Sequence, residues 1–308
     1  MARPAFPHSL AEFHAFFPDE AACVRYLAQS RWPEGFSCPT CDHRDAYVLS
    51  KRRLWQCKHC GHQTSPTAGT VLHRTRVPLR PWFQAAYLMS TLTPGLSAVQ
   101  LQRQLGLATY ETAWTMLHRL RRAMVRPVRD RLTGPVEVDE SLVGGARVGK
   151  RGRGAADKVI VIGAVEVRGE GSGRVRLMTI RAATQAALEG FVRDNVVEGG
   201  LVFTDGFSGY HRLASLGYDH RPEVQGGAGN PRSILPRIHR TFSNLKTWLA
   251  GTHHGVGARN VPVYLREFEF RFNRRRTPMA AFQTLLGLTS QHLPQPVRRR
   301  QRGAESIR

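Results

Sequence analysis

The sequence predicts an α+β protein of several domains, and three observations point to this class. Two C-x-x-C pairs lie near the N-terminus, a mostly helical stretch covers residues 81–124, and the hydrophobic period changes after Gly134-Pro135. Beyond that point, short apolar runs rich in β-branched residues alternate with helical segments, as in a sheet covered by helices. The chain has 308 residues, enough for two or three folding units.

Five segments are expected along the chain. Turn-forming residues mark two of the boundaries, at Pro33-Glu34-Gly35 and at Gly134-Pro135. The segments are a helical region over 1–36, a cysteine-rich ribbon over 37–66, a second helical region over 78–128, an α/β domain over 133–289 and a basic tail over 290–308, which is expected to be disordered.

The net charge limits the choice of partner. The formal charge is +22 and the sequence pI is about 11.1, which favours a nucleic acid, an anionic membrane surface or an acidic protein. No apolar run approaches the roughly 20 residues that cross a bilayer, and the N-terminus lacks the layout of a signal peptide. Five basic clusters without a compensating acidic block favour a phosphate backbone. We therefore expect a cytoplasmic, nucleoid-associated protein that binds DNA and no membrane.

The cysteine pairs predict a structural zinc site. Cys38 and Cys41 form one pair, Cys57 and Cys60 the other, and fifteen residues separate the pairs. Two such knuckles supply four thiolates in a tetrahedron, which suits Zn²⁺ and leaves no open position for chemistry. A redox or disulfide role is the alternative, which a reducing cytoplasm disfavours. Cys23, on an apolar helical face, is expected in the core.

The second helical region predicts a helix-turn-helix. Ser97 can cap a helix that ends near Gly106, and a second helix follows over 109–124. The second helix is expected to direct Arg119, Arg121 and Arg122 outward into the DNA major groove. An ordinary helical pair fits the pattern almost as well, and the net charge tips the choice toward DNA.

The order of elements in the α/β domain is that expected of an RNase-H-like fold, with three strands first and then a helix, a strand and further helices. The predicted strands cover 136–139, 159–167, 174–180 and 201–204, and the predicted helices cover 184–197, 240–249 and 263–273.

Two aspartates end predicted strands of this domain. Asp139 ends an apolar strand, and Asp205 follows Leu201–Thr204. A carboxylate at the end of a buried strand needs a partner such as a divalent cation, so adjacent strands would place both aspartates on a shared Mg²⁺ pair. The alternative is that each aspartate caps a turn, as Asp205-Gly206 alone would.

Several motifs together resemble a known family, the ISXO-like group of bacterial insertion-sequence transposases. The motifs are Val138-Asp-Glu-Ser-Leu-Val-Gly-Gly, Thr204-Asp-Gly-Phe-Ser-Gly-Tyr, Phe242-Ser-Asn-Leu-Lys-Thr-Trp and Arg271-Phe-Asn-Arg-Arg. The resemblance runs from about Phe16 to Leu288. It implies a transposase that binds the inverted-repeat ends of an element, cuts DNA and joins it to a target with Mg²⁺ or Mn²⁺, acting as a homodimer or larger assembly.

The resemblance also implies site residues. Asp139 and Asp205 would be the first two metal ligands of a DDE-type site, with Asn244 in the third place and Lys246 on a phosphate. Residues two apart on a helix do not share a face, so Asn244 and Lys246 cannot both point at one metal pair on a regular helix. Glu267, in preference to Glu269, is the candidate for a third carboxylate.

Two basic segments are candidate DNA contacts. The glycine-rich loop from Arg147 to Arg153 supplies Lys150, Arg151 and Arg153, and the motif at Arg271 supplies Arg274 and Arg275. A merely flexible loop is the alternative for the first.

Two other functions fit the same residues. One is a DNA-binding regulator that has a zinc ribbon and an inactive nuclease fold. The other is a metal-dependent nuclease without strand transfer.

Overall fold

The computed structural model describes residues 5–125, 129–144, 158–223 and 234–291. Its helices are α1 (Leu10–Phe16), α2 (Glu20–Arg31), α3 (Leu79–Thr91), α4 (Ala98–Leu105), α5 (Tyr110–Ala123), α6 (Gln185–Asn195), α7 (Pro236–His253), α8 (Val261–Asn273) and α9 (Pro278–Gln291). Its strands are β1 (Ala46–Leu49), β2 (Leu54–Cys57), β3 (Gln63–Thr64), β4 (Val136–Val143), β5 (Val159–Arg168), β6 (Gly171–Ile180), β7 (Leu201–Thr204) and β8 (Asp219–Pro222).

The chain forms two compact units. The N-terminal unit consists of Met1–Thr91, Ala98–Ala123 and Met279–Arg308, and the sheet unit consists of Leu92–Ser97 and Met124–Pro278. None of the helices in the described ranges is both long and apolar enough to cross a bilayer.

An aromatic cluster forms the core of the N-terminal unit. The ring of Phe17 packs 4.9 Å from that of Phe83 in α3, and Phe13 packs 4.9 Å from Tyr87. Phe282 of α9 lies among them, with its ring 5.9 Å from both Phe13 and Phe17. Helix α9 therefore completes this core, although the sequence-based boundary had left most of it in the α/β domain, which was expected to run to residue 289. The segments predicted over 1–36 and 37–66 share this unit with most of the segment predicted over 78–128, of which Leu92–Ser97 and the residues from Met124 onward belong to the sheet unit.

The sheet unit has one five-stranded sheet in the order β6-β5-β4-β7-β8. Strands β4, β5 and β6 pair antiparallel, whereas β7 is parallel to β4 and β8 is parallel to β7. This order and these directions are those of an RNase-H-like fold, as the sequence predicted. Helix α6 packs on one face, where Leu188 and Phe191 join the core with Val136 and Val138. Helices α7 and α8 cover the other face.

Helix α7 lies very close to the middle of the sheet. A Cβ on Gly163 would lie 2.9 Å from Ile238 Cδ1 and 3.1 Å from Phe242 Cζ. Gly163 stands directly opposite Asp139 in the β4–β5 ladder. The missing side chain therefore lets α7 approach the sheet beside the first predicted metal ligand.

The buried carboxylate of Glu137 fixes the start of α7. The residue before the helix, Leu235, has a left-handed backbone (φ 56°) and provides no side-chain cap. Glu137 Oε2 instead accepts the backbone N–H groups of Arg237 and Ile238 at 2.7 and 2.8 Å. Its other oxygen accepts Arg237 Nη1 at 2.8 Å. A strand residue thus satisfies the first turn of the helix, where an anion is favoured.

Side chains of α8 cover the free edge of the sheet. Strand β6 is an edge strand, and its backbone at Val175 exchanges two hydrogen bonds with the Asn273 amide, at 2.7 and 3.1 Å. Glu269 accepts the N–H of Leu177 at 3.2 Å. These side chains occupy backbone groups that an exposed edge would offer to another strand.

We expect Glu137→Gln to lower the free energy of unfolding by about 3 kcal/mol, because it removes the charge of a buried ion pair and leaves Arg237 without its ionic partner. Urea unfolding followed by tryptophan fluorescence measures this. Glu198→Gln, at an exposed position, is the matched control. Equal unfolding midpoints for the two variants would contradict the role given to Glu137.

Candidate active site and zinc centre

The four predicted cysteines come together in the structure. Their sulfur atoms all lie within 4.8 Å of one another, with Cys38 Sγ 3.6 Å from Cys60 Sγ and Cys41 Sγ 3.7 Å from Cys57 Sγ. A tetrahedral Zn²⁺ site with Zn–S bonds of about 2.3 Å has sulfur–sulfur edges of about 3.8 Å. The cysteines therefore fit a structural zinc ion.

The two knuckles have the same backbone design. The N–H of Cys38 donates to the carbonyl of His43 at 3.0 Å, and that of Cys57 donates to His62 at 2.9 Å. Each knuckle turns through a left-handed residue directly after its second cysteine, Asp42 (φ 56°) in one and Gly61 (φ 70°) in the other. Only the glycine was recognisable in the sequence, because an aspartate in this conformation gives no distinct signal.

The cysteines of the first knuckle differ in acidity. A hydrogen bond from the backbone of His43 lowers the pKa of Cys41, but burial and the neighbouring cysteine side chains outweigh it and raise this pKa to about 12. Burial raises the pKa of Cys38, but hydrogen bonds from the backbone of Thr40 and Cys41 outweigh it and lower the pKa to about 7. Cys23 differs, since it is fully buried in α2 and burial raises its pKa to about 12. Cys23 therefore lies in the core, as expected, and apart from the knuckles.

The apolar core around the knuckles is small. It consists of Phe36, Cys38 and Cys57, with Trp32 and Trp55 packed against it. A core of this size supplies little hydrophobic stabilisation, so the metal must supply much of the folding free energy of the ribbon.

The predicted aspartates belong to neighbouring parallel strands, but Asp139 does not end its strand as predicted, because β4 continues to Val143. Asp205 directly follows β7, as predicted. The ladder between β4 and β7 pairs Val136 with Val202 and Glu137 with Phe203. Two residues further along the same register, Asp139 stands beside Asp205. The charge of Asp205 acts on Asp139, in agreement with this placement.

The surroundings of Asp139 disfavour the ionised form of its carboxylate. Burial, together with the charges of Glu140 and Asp205, raises the pKa of Asp139 to about 6, although the N–H of Glu140 and the charge of His239 act in the opposite direction. Its Oδ1 accepts the N–H of Glu140 at 2.7 Å. A partly desolvated carboxylate beside a second one is the environment that a divalent cation relieves, and carboxylate oxygens suit Mg²⁺ and Mn²⁺.

A buried tyrosine supports the strand next to Asp139. Tyr210 is fully buried, and its hydroxyl donates to Glu140 Oε2 at 2.9 Å. On the other strand, Asp205 Oδ1 accepts the N–H of Phe207 at 3.0 Å and so shapes the turn after β7. Asp205 therefore also caps a turn through Oδ1, as the alternative interpretation predicted.

One face of α7 meets the side chains of β4. His239 Nε2 lies 3.1 Å from Asp139 Oδ2, and Lys246 Nζ donates to Ser141 Oγ at 2.8 Å. These residues are seven apart on the helix and share a face. Asn244 is exposed and lies about 200° around the helix from Lys246. The structure thus separates the two residues that the resemblance had placed together.

The glutamates of α8 have other partners. Glu267 is fully buried and pairs with Arg271, with Oε1 and Nη1 3.7 Å apart. Glu269 pairs with Arg129 at 2.6 Å and with Arg176 at 3.5 Å. The structure therefore gives Glu267 an ionic partner within its own helix and does not bring it to Asp139.

The two helices of the predicted helix-turn-helix are present as α4 and α5, and Gly106 (φ 59°) lies in the connection between them. Its arginines do not point outward as expected. Arg121 is only 1% exposed, Arg122 is half-buried, and Arg119 donates to the carbonyls of Val71 and His73 at 3.3 Å. Because α5 is buried along its C-terminal half, these residues stabilise the N-terminal unit instead.

The remaining predicted DNA contacts divide into two groups. Arg274 lies over the ring of Phe270 at 4.1 Å, and Arg275 lies over that of Phe272 at 4.2 Å and donates to the carbonyl of Ser172. Both therefore have partners within the sheet unit. Lys150, Arg151 and Arg153, and the tail from residue 292 onward, lie outside the described residues.

Two residues that lie at the site had no recognisable signal in the sequence. Glu137 could be taken for a polar position in an alternating strand, and His239 precedes the recognised motif at Phe242. Their roles depend on the packing of α7 on β4, which brings together residues about 100 positions apart in the chain.

The fold and site define an RNase-H-like protein with a paired-carboxylate site, joined to a zinc ribbon. Residues 131–273 match an ISXO2-like transposase domain and residues 18–63 match a transposase zinc-ribbon domain. The chain is also 30% identical over 292 residues to a Halobacterium salinarum protein described as an uncharacterized protein in transposable element ISH50. That alignment covers 88% of this chain and 97% of the relative. The chain belongs to the ISXO2-like transposase family, and membership implies that it binds DNA.

We expect Cys57→Ser to abolish stoichiometric zinc binding and to unfold the ribbon, because three thiolates do not complete the tetrahedron. Zinc content by atomic absorption and proteolysis of residues 37–66 measure the two effects. Cys23→Ala, which alters a cysteine outside the knuckles, should retain its zinc. Full zinc content in Cys57→Ser would contradict the assignment of the ligands.

In magnesium-free buffer, we expect Asp139→Asn to raise the free energy of unfolding at pH 8 by about 2 kcal/mol. The pKa of Asp139 is raised in the folded state, so folding disfavours the ionised form, and this penalty disappears once the carboxylate is protonated. The difference from wild type should therefore vanish near pH 4. Urea titrations at both values measure it, with exposed Asp194→Asn as control. An equal difference at both values would be inconsistent with the raised pKa.

Proposed function

We propose that this protein is the transposase of an insertion sequence and that it cuts and joins DNA at Asp139 and Asp205 with divalent metal ions. The observation that carries the proposal is the parallel register of β4 and β7, which, when continued by two residues, gives Asp139 and Asp205 corresponding backbone positions. The burial of Asp139 supports it, because the folded chain bears a cost there that a bound cation would remove.

The reaction needs little from the protein beyond two carboxylates and good positioning. Divalent ions held by Asp139 and Asp205 would activate the attacking oxygen and stabilise the leaving one. In cleavage, water forms a new P–O bond at the end of the element while the bond to the 3′ oxygen breaks. In joining, that 3′-hydroxyl attacks a phosphodiester of the target. Each joining step replaces one P–O bond by another, so it requires no external energy source.

Lys246 is the proposed phosphate contact beside the carboxylates. Its ammonium group already reaches β4 at Ser141, two residues from Asp139. Asn244 stays the third ligand that the family resemblance implies, and its exposed position makes Asn244→Ala a direct test in the cleavage assay. Glu267, paired with Arg271, is the less favoured alternative for that role.

Double-stranded DNA, as the inverted-repeat ends and the target, is the proposed partner. In the described ranges, the exposed cations of the N-terminal unit include Lys51, Arg52 and Lys58 on the ribbon and Arg103 on α4. We propose that these contact phosphates where the buried Arg121 cannot. Bringing two element ends together requires two active sites, so the working form is proposed to be at least a homodimer.

The deciding experiment is a Mg²⁺-dependent cleavage and strand-transfer assay on duplex DNA that carries the ends flanking the gene. We expect wild type to release 3′-hydroxyl ends and to form joined products. Asp139→Ala and Asp205→Ala should lose both activities while binding the DNA as tightly as wild type, because the substitutions remove metal ligands and no cationic contact. Asp194→Ala, at an exposed site in the same unit, should stay active.

The other outcomes distinguish the alternatives. Cutting without joining by wild type would identify a nuclease, and binding without cutting would identify a regulator. Full cleavage by either aspartate variant would refute the active site.

A further inference from the structure

The first observation concerns the second carboxylate oxygen of Asp139, Oδ2. Its Oδ1 is occupied by the N–H of Glu140, whereas Oδ2 faces the imidazole of His239 at 3.1 Å. Asp205 likewise uses Oδ1 within its own turn. The atoms that could bind a metal ion at this site therefore include one nitrogen, Nε2 of His239 on α7.

The second observation is that α7 holds His239 in place. Glu137 fixes the N–H groups of Arg237 and Ile238, so His239 follows directly after two anchored residues. Glu137 and Asp139 are alternate residues of β4 and point to the same face. The contact between His239 and Asp139 is thus set by the same strand that caps the helix.

The separation of the two atoms fits shared coordination. Adjacent ligands of an octahedral ion with metal–ligand distances of about 2.1 Å are about 3.0 Å apart. The observed 3.1 Å between His239 Nε2 and Asp139 Oδ2 is close to this value. The His239 side chain is also 44% exposed, which leaves the imidazole accessible to an ion from solvent.

We infer that His239 is a direct ligand of the catalytic metal ion, on which it joins Asp139. This rests on the proposed function, since it assigns a further ligand to that same site. Of the expected ligands, Asn244 lies about 140° around α7 from His239. Glu267 lies on α8, where its Oε1 is 3.7 Å from Arg271 Nη1. An imidazole nitrogen is softer than a carboxylate oxygen, so the site should prefer Mn²⁺ to Mg²⁺.

Electron paramagnetic resonance of Mn²⁺ bound to the full-length, zinc-loaded protein tests the inference without any measurement of activity. Wild type should show electron spin-echo modulation from a directly bonded ¹⁴N nucleus. His239→Ala should lose this modulation and bind Mn²⁺ about tenfold more weakly, with a smaller change for Mg²⁺. His239→Gln, which keeps more of the side-chain volume, should lose the nitrogen signal in the same way. His14→Ala, an exposed histidine of α1, should behave as wild type.

Asp139→Asn separates this inference from the proposed function. If Asp139→Asn abolishes Mn²⁺ binding but wild type shows no bonded ¹⁴N, then His239 only orients Asp139 and the inference is overturned, while the proposed metal site stands. If Asp139→Asn binds Mn²⁺ as well as wild type, the metal site itself is misplaced. Both histidine variants retaining the nitrogen signal would also overturn the inference.

Discussion

The arrangement of the site depends on one buried carboxylate, that of Glu137. It lies in the central strand, yet it caps the first turn of α7 through two backbone N–H groups and pairs with Arg237. Leu235, which precedes α7, has no capping side chain, so Glu137 takes over this role and fixes where the helix begins. Everything that α7 brings to β4 follows from that starting point, because helical geometry then fixes the positions of His239 and Lys246.

The centre of the sheet combines close packing with electrostatic cost. Gly163 lets α7 approach opposite Asp139, and this approach is part of what desolvates the carboxylate. Tyr210 holds Glu140 from the other face of the sheet, which keeps a further negative charge near the same place. The folded protein thus maintains an excess of negative charge at a point where the rest of the chain is strongly cationic. Such a local reversal of sign favours small cations at the site even though the whole molecule repels them.

The sequence was sufficient for those features that depend on local spacing. The C-x-x-C spacing predicted the four cysteines that come together, and the apolar runs before Asp139 and Asp205 predicted strands β4 and β7. The predicted end of the first strand was wrong, since β4 continues past Asp139 to Val143. Features that depend on distant packing were not predictable in the same way. Arg121 has the charge of a surface residue, and only the tertiary structure shows that α5 is buried at that point. The position of Phe282 in the N-terminal core has the same cause, since an apolar helix does not reveal which core it will join.

The participation of α9 in the N-terminal core has a consequence for how the protein is made. The aromatic cluster needs Phe13 and Phe17 from the start of the chain and Phe282 from near its end, so the sheet unit is an insertion within the N-terminal unit. During synthesis, the sheet unit emerges complete while the core of the other unit still lacks a member. A polypeptide that stops before α9 can complete the RNase-H-like sheet but leaves the aromatic cluster open to solvent. Full-length translation is therefore a condition for a finished N-terminal unit.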